Sequence, residues 1–166
     1  MWEKYLKYRC PRYDNMPSIQ LYKDQIVSVV NEYIESFADE DEKLITSSMI
    51  NNYVKHKIIK PPVNKKYDRE HLAFLYIICL LKAFMPIEQI KSGMQFVIQS
   101  VGMRDAYDMF CDEFENALQT AFGGEKIHEI EKRGTEAELV RAAATGLANF
   151  VHANALVGQI GKGAKK

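Results

Sequence analysis

Residues 46–82, "TSSMINNYVKHKIIKPPVNKKYDREHLAFLYIICLLK", decide how this chain is read. Thr46 or Ser47 suits a helix N-cap, because a side-chain oxygen there satisfies a free backbone N–H. Met49, Ile50, Tyr53 and Val54 follow at helical spacing and form an inner face. Ser48, Asn51, Asn52 and Lys55 recur every three or four residues and share the opposite, polar face. This short helix stops before Pro61, since each proline lacks an N–H and restricts the residue before it. "KPPVNKK" is then a basic loop or small β-wing closed by Tyr67. Asp68 caps a further helix with Leu72, Leu75, Tyr76, Ile78, Cys79 and Leu80 directed inward. Its run "LAFLYIICLLKAF" is broken by Lys82 and is shorter than a bilayer span, so it reads as a buried helix.

Outward from this stretch the chain is mostly helical. Residues 1–17 lack periodicity and hold Pro11 and Pro17, which predicts an extended N-terminal arm with Trp2, Tyr5, Tyr8 and Tyr13 laid against the body. Ser18 can cap a helix carrying Ile19, Tyr22, Ile26, Val29, Val30, Tyr33 and Phe37, ended by the acidic run at 39–42. Pro86 opens a helix to about Val101. After the break at "VGMRD", residues 103–122 place Tyr107, Phe110, Cys111, Phe114 and Leu118 on one side, and Gly123 and Gly124 stop that helix. A last helix runs from Thr135 to about Val157, with the small residues Ala142, Ala144, Gly146, Ala148 and Ala155 suited to the core or to a two-fold seam. Residues 161–166 are expected to be a flexible tail.

The chain has 166 residues, 47% of them apolar, with 22 basic and 22 acidic side chains. Overall charge therefore identifies no partner, but its distribution is uneven. From Lys43 to Arg69 there are seven basic residues and one acid; from Met103 to Glu138 there are four basic residues and ten acids. This split implies a basic face and an acidic face. Cys10, Cys79 and Cys111 are far apart and odd in number, which argues against a disulfide framework and favours a reducing, cytoplasmic setting. The N-terminus shows no apolar signal core.

No glycine-rich phosphate loop, nucleophile elbow or Cys/His catalytic pair is present, so neither an enzyme nor a bound cofactor is expected. His56, His71, His128 and His152 have no acid or cysteine at metal-ligand spacing and read as surface or packing residues. Asp105, Asp108, Asp112 and Glu115 share a helix face, which reads as a solvated acidic surface. A carboxylate metal or small-molecule site in these C-terminal helices is the weakest of the functional readings.

The polar helix and the wing carry the main one. Asparagine donates and accepts together, which suits the adenine edge in the major groove, so Asn51 and Asn52 are candidate base readers. Ser47 and Ser48 lie at a helix start, where free backbone N–H groups bind phosphate. Lys55, Lys57, Lys60, Lys65, Lys66 and Arg69 would neutralise backbone phosphates. The reading is sequence-specific binding of double-stranded DNA by a homodimer, with an unidentified small-molecule effector as a further partner. The alternative is a winged-helix module that binds protein and does not touch DNA.

"SMINNYVKHKIIKPP" with "NKKYDREHLAFLYIICLLKAFMPIEQI" resembles the winged helix of the mercury-resistance-regulator (MerR) superfamily. Tyr53 matches that pattern's second helix tyrosine, Ile58 and Ile59 its leucine region, Lys65 the wing arginine and Tyr67 the wing tyrosine. "PIEQI" at 86–90 matches the start of the following helix, while Lys57 stands where the pattern has a turn glycine. Over most of residues 9–150 the chain also resembles a family of Gram-positive bacteria, the domain of unknown function numbered eighteen-thirty-six. The MerR resemblance implies a mostly α protein: a winged helix-turn-helix at 18–100 and a helical region at 101–160 for dimerisation or effector sensing. Its implied role is bacterial transcription regulation.

Overall fold

The computed structural model describes residues 1–39 and 42–163. Seven α-helices are found among them: α1 (Glu3–Leu6), α2 (Lys23–Ile34), α3 (Ser47–Lys55), α4 (Arg69–Leu81), α5 (Ile87–Val101), α6 (Met103–Phe122) and α7 (Thr135–Gly163). Among the described residues no strand forms, and β-pairing is confined to two isolated antiparallel bridges, Leu21 with Tyr67 and Val63 with Lys66. The protein is mostly α, as its periodicity predicts. The chain divides into two compact units, Cys10–Asp108 and Met1–Arg9 with Met109–Lys166.

In the first unit α4 is the central helix. Ten of its thirteen residues are buried, so it is apolar on nearly every side. Ile26, Val30 and Ile34 of α2 are fully buried, and α2 packs against α4. The long connection from α2 to α3 is fastened at its far end. The Asn31 amide donates to the Ile45 carbonyl (2.9 Å) and accepts from the Ile45 N–H (3.2 Å), while Ile45 itself is fully buried. Lys82, just past α4, donates to the Leu44 carbonyl at 2.7 Å.

The second unit is built on aromatic packing. Tyr5 stacks on Phe122 with centroids 4.4 Å apart, Trp2 lies at 5.3 Å from the same ring, and Tyr8 meets Phe114 edge-on. Buried amides tie its segments together. Asn116 accepts from the Ile127 and His128 N–H groups and donates to the His128 carbonyl, which pins the segment before α7. Gln119 donates to the Leu6 carbonyl at 2.7 Å.

Four expectations need correction. α2 begins at Lys23, not after Ser18, because Leu21 exchanges two 2.8 Å backbone hydrogen bonds with Tyr67. That extended pairing holds the preceding chain out of a helix and leaves Ile19 exposed. α2 also ends at Ile34, passing through a 3₁₀ turn at Glu35–Phe37, before the acidic run of which residues 40 and 41 lie outside the described residues. The N-terminal segment is not wholly extended, since α1 forms within it. Finally, α7 continues to Gly163: no proline follows Val157 to stop it, and Lys162 in the last turn suits the negative end of the helix dipole. Of the expected tail, residues 161–163 are therefore helical and 164–166 lie outside the described residues.

Candidate nucleic-acid interface

Thr46 is the N-cap of α3, its hydroxyl oxygen accepting from the Met49 N–H at 3.3 Å. Ser47 and Ser48 occupy the first turn and are exposed. Ile50 is fully buried, which turns Ser48, Asn51, Asn52 and Lys55 to the solvent side. The Asn51 carbonyl oxygen accepts from the Lys23 ammonium at 2.5 Å, so α2 adds a cation to the polar face of α3. No spacing rule could reveal that pair, which exists only because α2 and α3 are neighbours in space.

α3 ends in a Schellman turn. The Ile58 N–H bonds the Tyr53 carbonyl (2.8 Å) and the Lys57 N–H bonds the Val54 carbonyl (3.0 Å), with Lys57 in the left-handed region at φ 56°. The chain then forms a tight hairpin. Val63 and Lys66 exchange backbone hydrogen bonds of 3.1 and 3.0 Å, and Asn64 and Lys65 between them have φ of 51° and 61°. Two successive left-handed residues match a type I′ turn, whose twist suits a hairpin. Lys65 is exposed at its tip, and the Lys66 ammonium lies 5.3 Å from the Tyr22 ring centroid. Tyr67, 2% exposed, closes the hairpin through its pairing with Leu21.

Two of the candidate phosphate ligands are engaged within the protein. Lys60 bonds Asp68 at 2.7 Å and Glu70 at 2.8 Å. Burial pushes its ammonium pKa down, but the two carboxylates outweigh that and raise it. Asp68 shows the reciprocal shift: burial pushes its carboxyl up, while the Lys60 bond, the His71 N–H and nearby positive charge hold it below the usual value. Arg69 donates to the Met16 carbonyl at 3.0 Å and its guanidinium lies 5.6 Å from the Tyr13 ring, with its Nε buried and unbonded. By contrast, the side chains of Ser47, Ser48, Asn52, Lys55, Lys57 and Lys65 are exposed and have no hydrogen-bond or ion-pair partner among the described residues.

Two histidines have acidic partners in the fold. His71 is buried, and Asp68 three residues earlier caps α4 by accepting from the His71 N–H. The His71 Nε2 lies 3.0 Å from the Lys60 carbonyl, which can only accept, so Nε2 carries a proton. His128 Nε2 lies 2.5 Å from Glu115. The acidic helix face is accordingly not uniformly solvated: Glu115 is 1% exposed and Asp108 accepts from the Tyr13 N–H at 3.1 Å. Among the described residues no three His, Cys, Asp or Glu side chains converge to hold a metal ion. No described helix is long and apolar enough to cross a membrane.

The described residues are mostly helical, with a polar face on α3 edged by Lys55. The chain belongs to the family described as Domain of unknown function (DUF1836), whose model matches residues 11–110. The matched segment coincides, within two residues at either end, with the compact unit Cys10–Asp108. No curated protein and no solved structure matches the chain.

Proposed function

We propose that this protein binds double-stranded DNA sequence-specifically, as a cytoplasmic bacterial transcription regulator, through a MerR-like winged helix formed by α2, α3, the 63–66 hairpin and α4. One observation carries this reading. The adjacent residues Tyr22 and Lys23 touch Lys66 of the hairpin and Asn51 of α3, respectively. The polar face of α3 and the lysine-bearing hairpin are thereby neighbours on a single surface. In this reading α3 enters the major groove, with Asn52 and Asn51 directed to base edges. Ser47 and Ser48 meet phosphate at the helix start, and Lys23, Lys55, Lys57, Lys65 and Lys66 supply positive charge along the backbone.

Bases and phosphates must then fail differently on mutation. Lys65→Ala with Lys66→Ala should weaken binding to all duplexes. It should also flatten the log-affinity versus log-salt slope by about 0.9 for each phosphate no longer neutralised. Asn52→Ala should leave that slope unchanged and erode preference at one base pair by about 1–3 kcal/mol. Fluorescence anisotropy at several salt concentrations separates the two; identical behaviour of both variants would refute the division of roles.

A single short helix and hairpin bury little DNA, so tight specific binding calls for a homodimer. Ala144 and Ala148 of the small-residue face are buried. The exposed apolar end of α7, with Leu156, Val157 and Ile160 at 42, 67 and 73% exposure, is the better seam. Light scattering should give twice the chain mass; a monomer at high micromolar concentration, with and without DNA, is the contrary result.

A further inference from the structure

A groove of about 570 Å³ opens in the unit Cys10–Asp108, lined by the end of α3, the 57–61 turn and α4, with Gln95 of α5 contributing. Its size falls within the roughly 300–1,000 Å³ range of small-molecule sites. Val54, Ile58, Ile59 and Phe74 give it an apolar lining, and Lys55, Lys57 and Lys60 bring positive charge. The charge is not cancelled. The Glu70 carboxylate in the lining is answered by Lys60 at 2.8 Å, whereas Lys55 and Lys57 have no acidic partner among the described residues.

The lining is also firmly set. His71 is 2% exposed and lies between the Asp68 carboxylate (2.8 Å) and the Lys60 carbonyl (3.0 Å), which ties α4 to the 57–61 turn. Lys57 holds a left-handed backbone that is unfavourable for any residue with a Cβ and free for glycine.

We propose that this groove binds a small amphipathic organic anion, its carboxylate or phosphate head at Lys55 and Lys57 and its acyl or aromatic body over Ile58, Ile59 and Phe74. An inorganic anion alone would leave the apolar lining wet, and a neutral lipid would leave both ammonium groups unanswered. Apolar walls beside the lysines lower the local dielectric and strengthen the attraction for the head group. Because both lysines also belong to the DNA surface proposed above, a seated anion and a duplex would compete; that consequence rests on the DNA reading, while anion binding does not.

The test uses the full chain, no nucleic acid and the fluorescent sulfonate 8-anilinonaphthalene-1-sulfonate as probe. Octanoate or octyl phosphate should displace the probe, and which of them is stronger identifies the head group. Octanol and inorganic phosphate should each be at least about tenfold weaker competitors, and Lys55→Gln with Lys57→Gln should weaken probe binding by about tenfold. Lys43→Gln, outside the groove, serves as the control for general loss of charge, and thermal melts establish that each variant is folded. Displacement by octanol as strong as by octanoate, or an unchanged probe affinity in the double variant, would overturn the proposal.

Discussion

Lys57 separates stability from binding at a single residue. Its φ of 56° is a conformation that glycine adopts without cost and an L side chain does not. Lys57→Gly should therefore stabilise the protein by about 1 kcal/mol, raising the melting temperature by about 2–4 °C. The same change should weaken anion binding; a melting temperature below that of the parent contradicts the strain at this residue. Asp68 supplies a pH test. Its carboxyl is depressed in the folded chain, so it adds stability above its unfolded value near 3.8, and that stability is lost as pH falls through the lower folded value. Asparagine caps helices about as well as aspartate. Asp68→Asn should thus show a lower urea midpoint than the parent at pH 7, and the gap should close as pH falls well below the unfolded value. A gap of constant size would mean the carboxylate charge contributes nothing. The Asp68 N-cap is legible in the sequence, and that of α3 is narrowed to Thr46 or Ser47, because capping is local. The fates of Lys60 and Arg69 are not, because their partners Glu70 and Met16 are brought to them by the fold.

At the level of elements, the same distinction between local and distant causes applies. α3 and α4 start where periodicity and their caps place them, since each signal acts within a few residues, whereas α3 ends at Lys55 in its Schellman turn, well before Pro61. The start of α2 departs from its periodicity because the competitor is Tyr67, a backbone partner contributed by the far side of the hairpin. The far end of α7 runs past Val157 because nothing local terminates it, and glycine disfavours a helix by only about 1 kcal/mol per residue. α4 bears the largest stability consequence. Leu75 is fully buried, and Leu75→Ala should cost on the order of 2–5 kcal/mol, from the forfeited transfer energy and the cavity left behind. Thermal denaturation followed by circular dichroism should show a fall of more than about 5 °C. A shift under about 2 °C would mean that α4 is not the core of its unit.

For the molecule as a whole, the basic stretch Lys43–Arg69 falls inside the unit Cys10–Asp108, which is also the part that matches the family. Most of the acidic stretch Met103–Glu138 falls in the other unit. The uneven charge is visible in the sequence; that it follows the boundary between compact units is not, because α6 runs through that boundary without a break. The proposed function depends on α3 and the hairpin forming one duplex-reading surface. Binding-site selection from a random duplex pool by the full chain, beside the Lys65→Ala, Lys66→Ala variant, measures this most directly. Such a surface should enrich a palindrome with half-sites about one or two helical turns apart, and the variant should bind all duplexes more weakly. No enriched sequence, together with binding of random duplex no tighter than the variant's, would refute it.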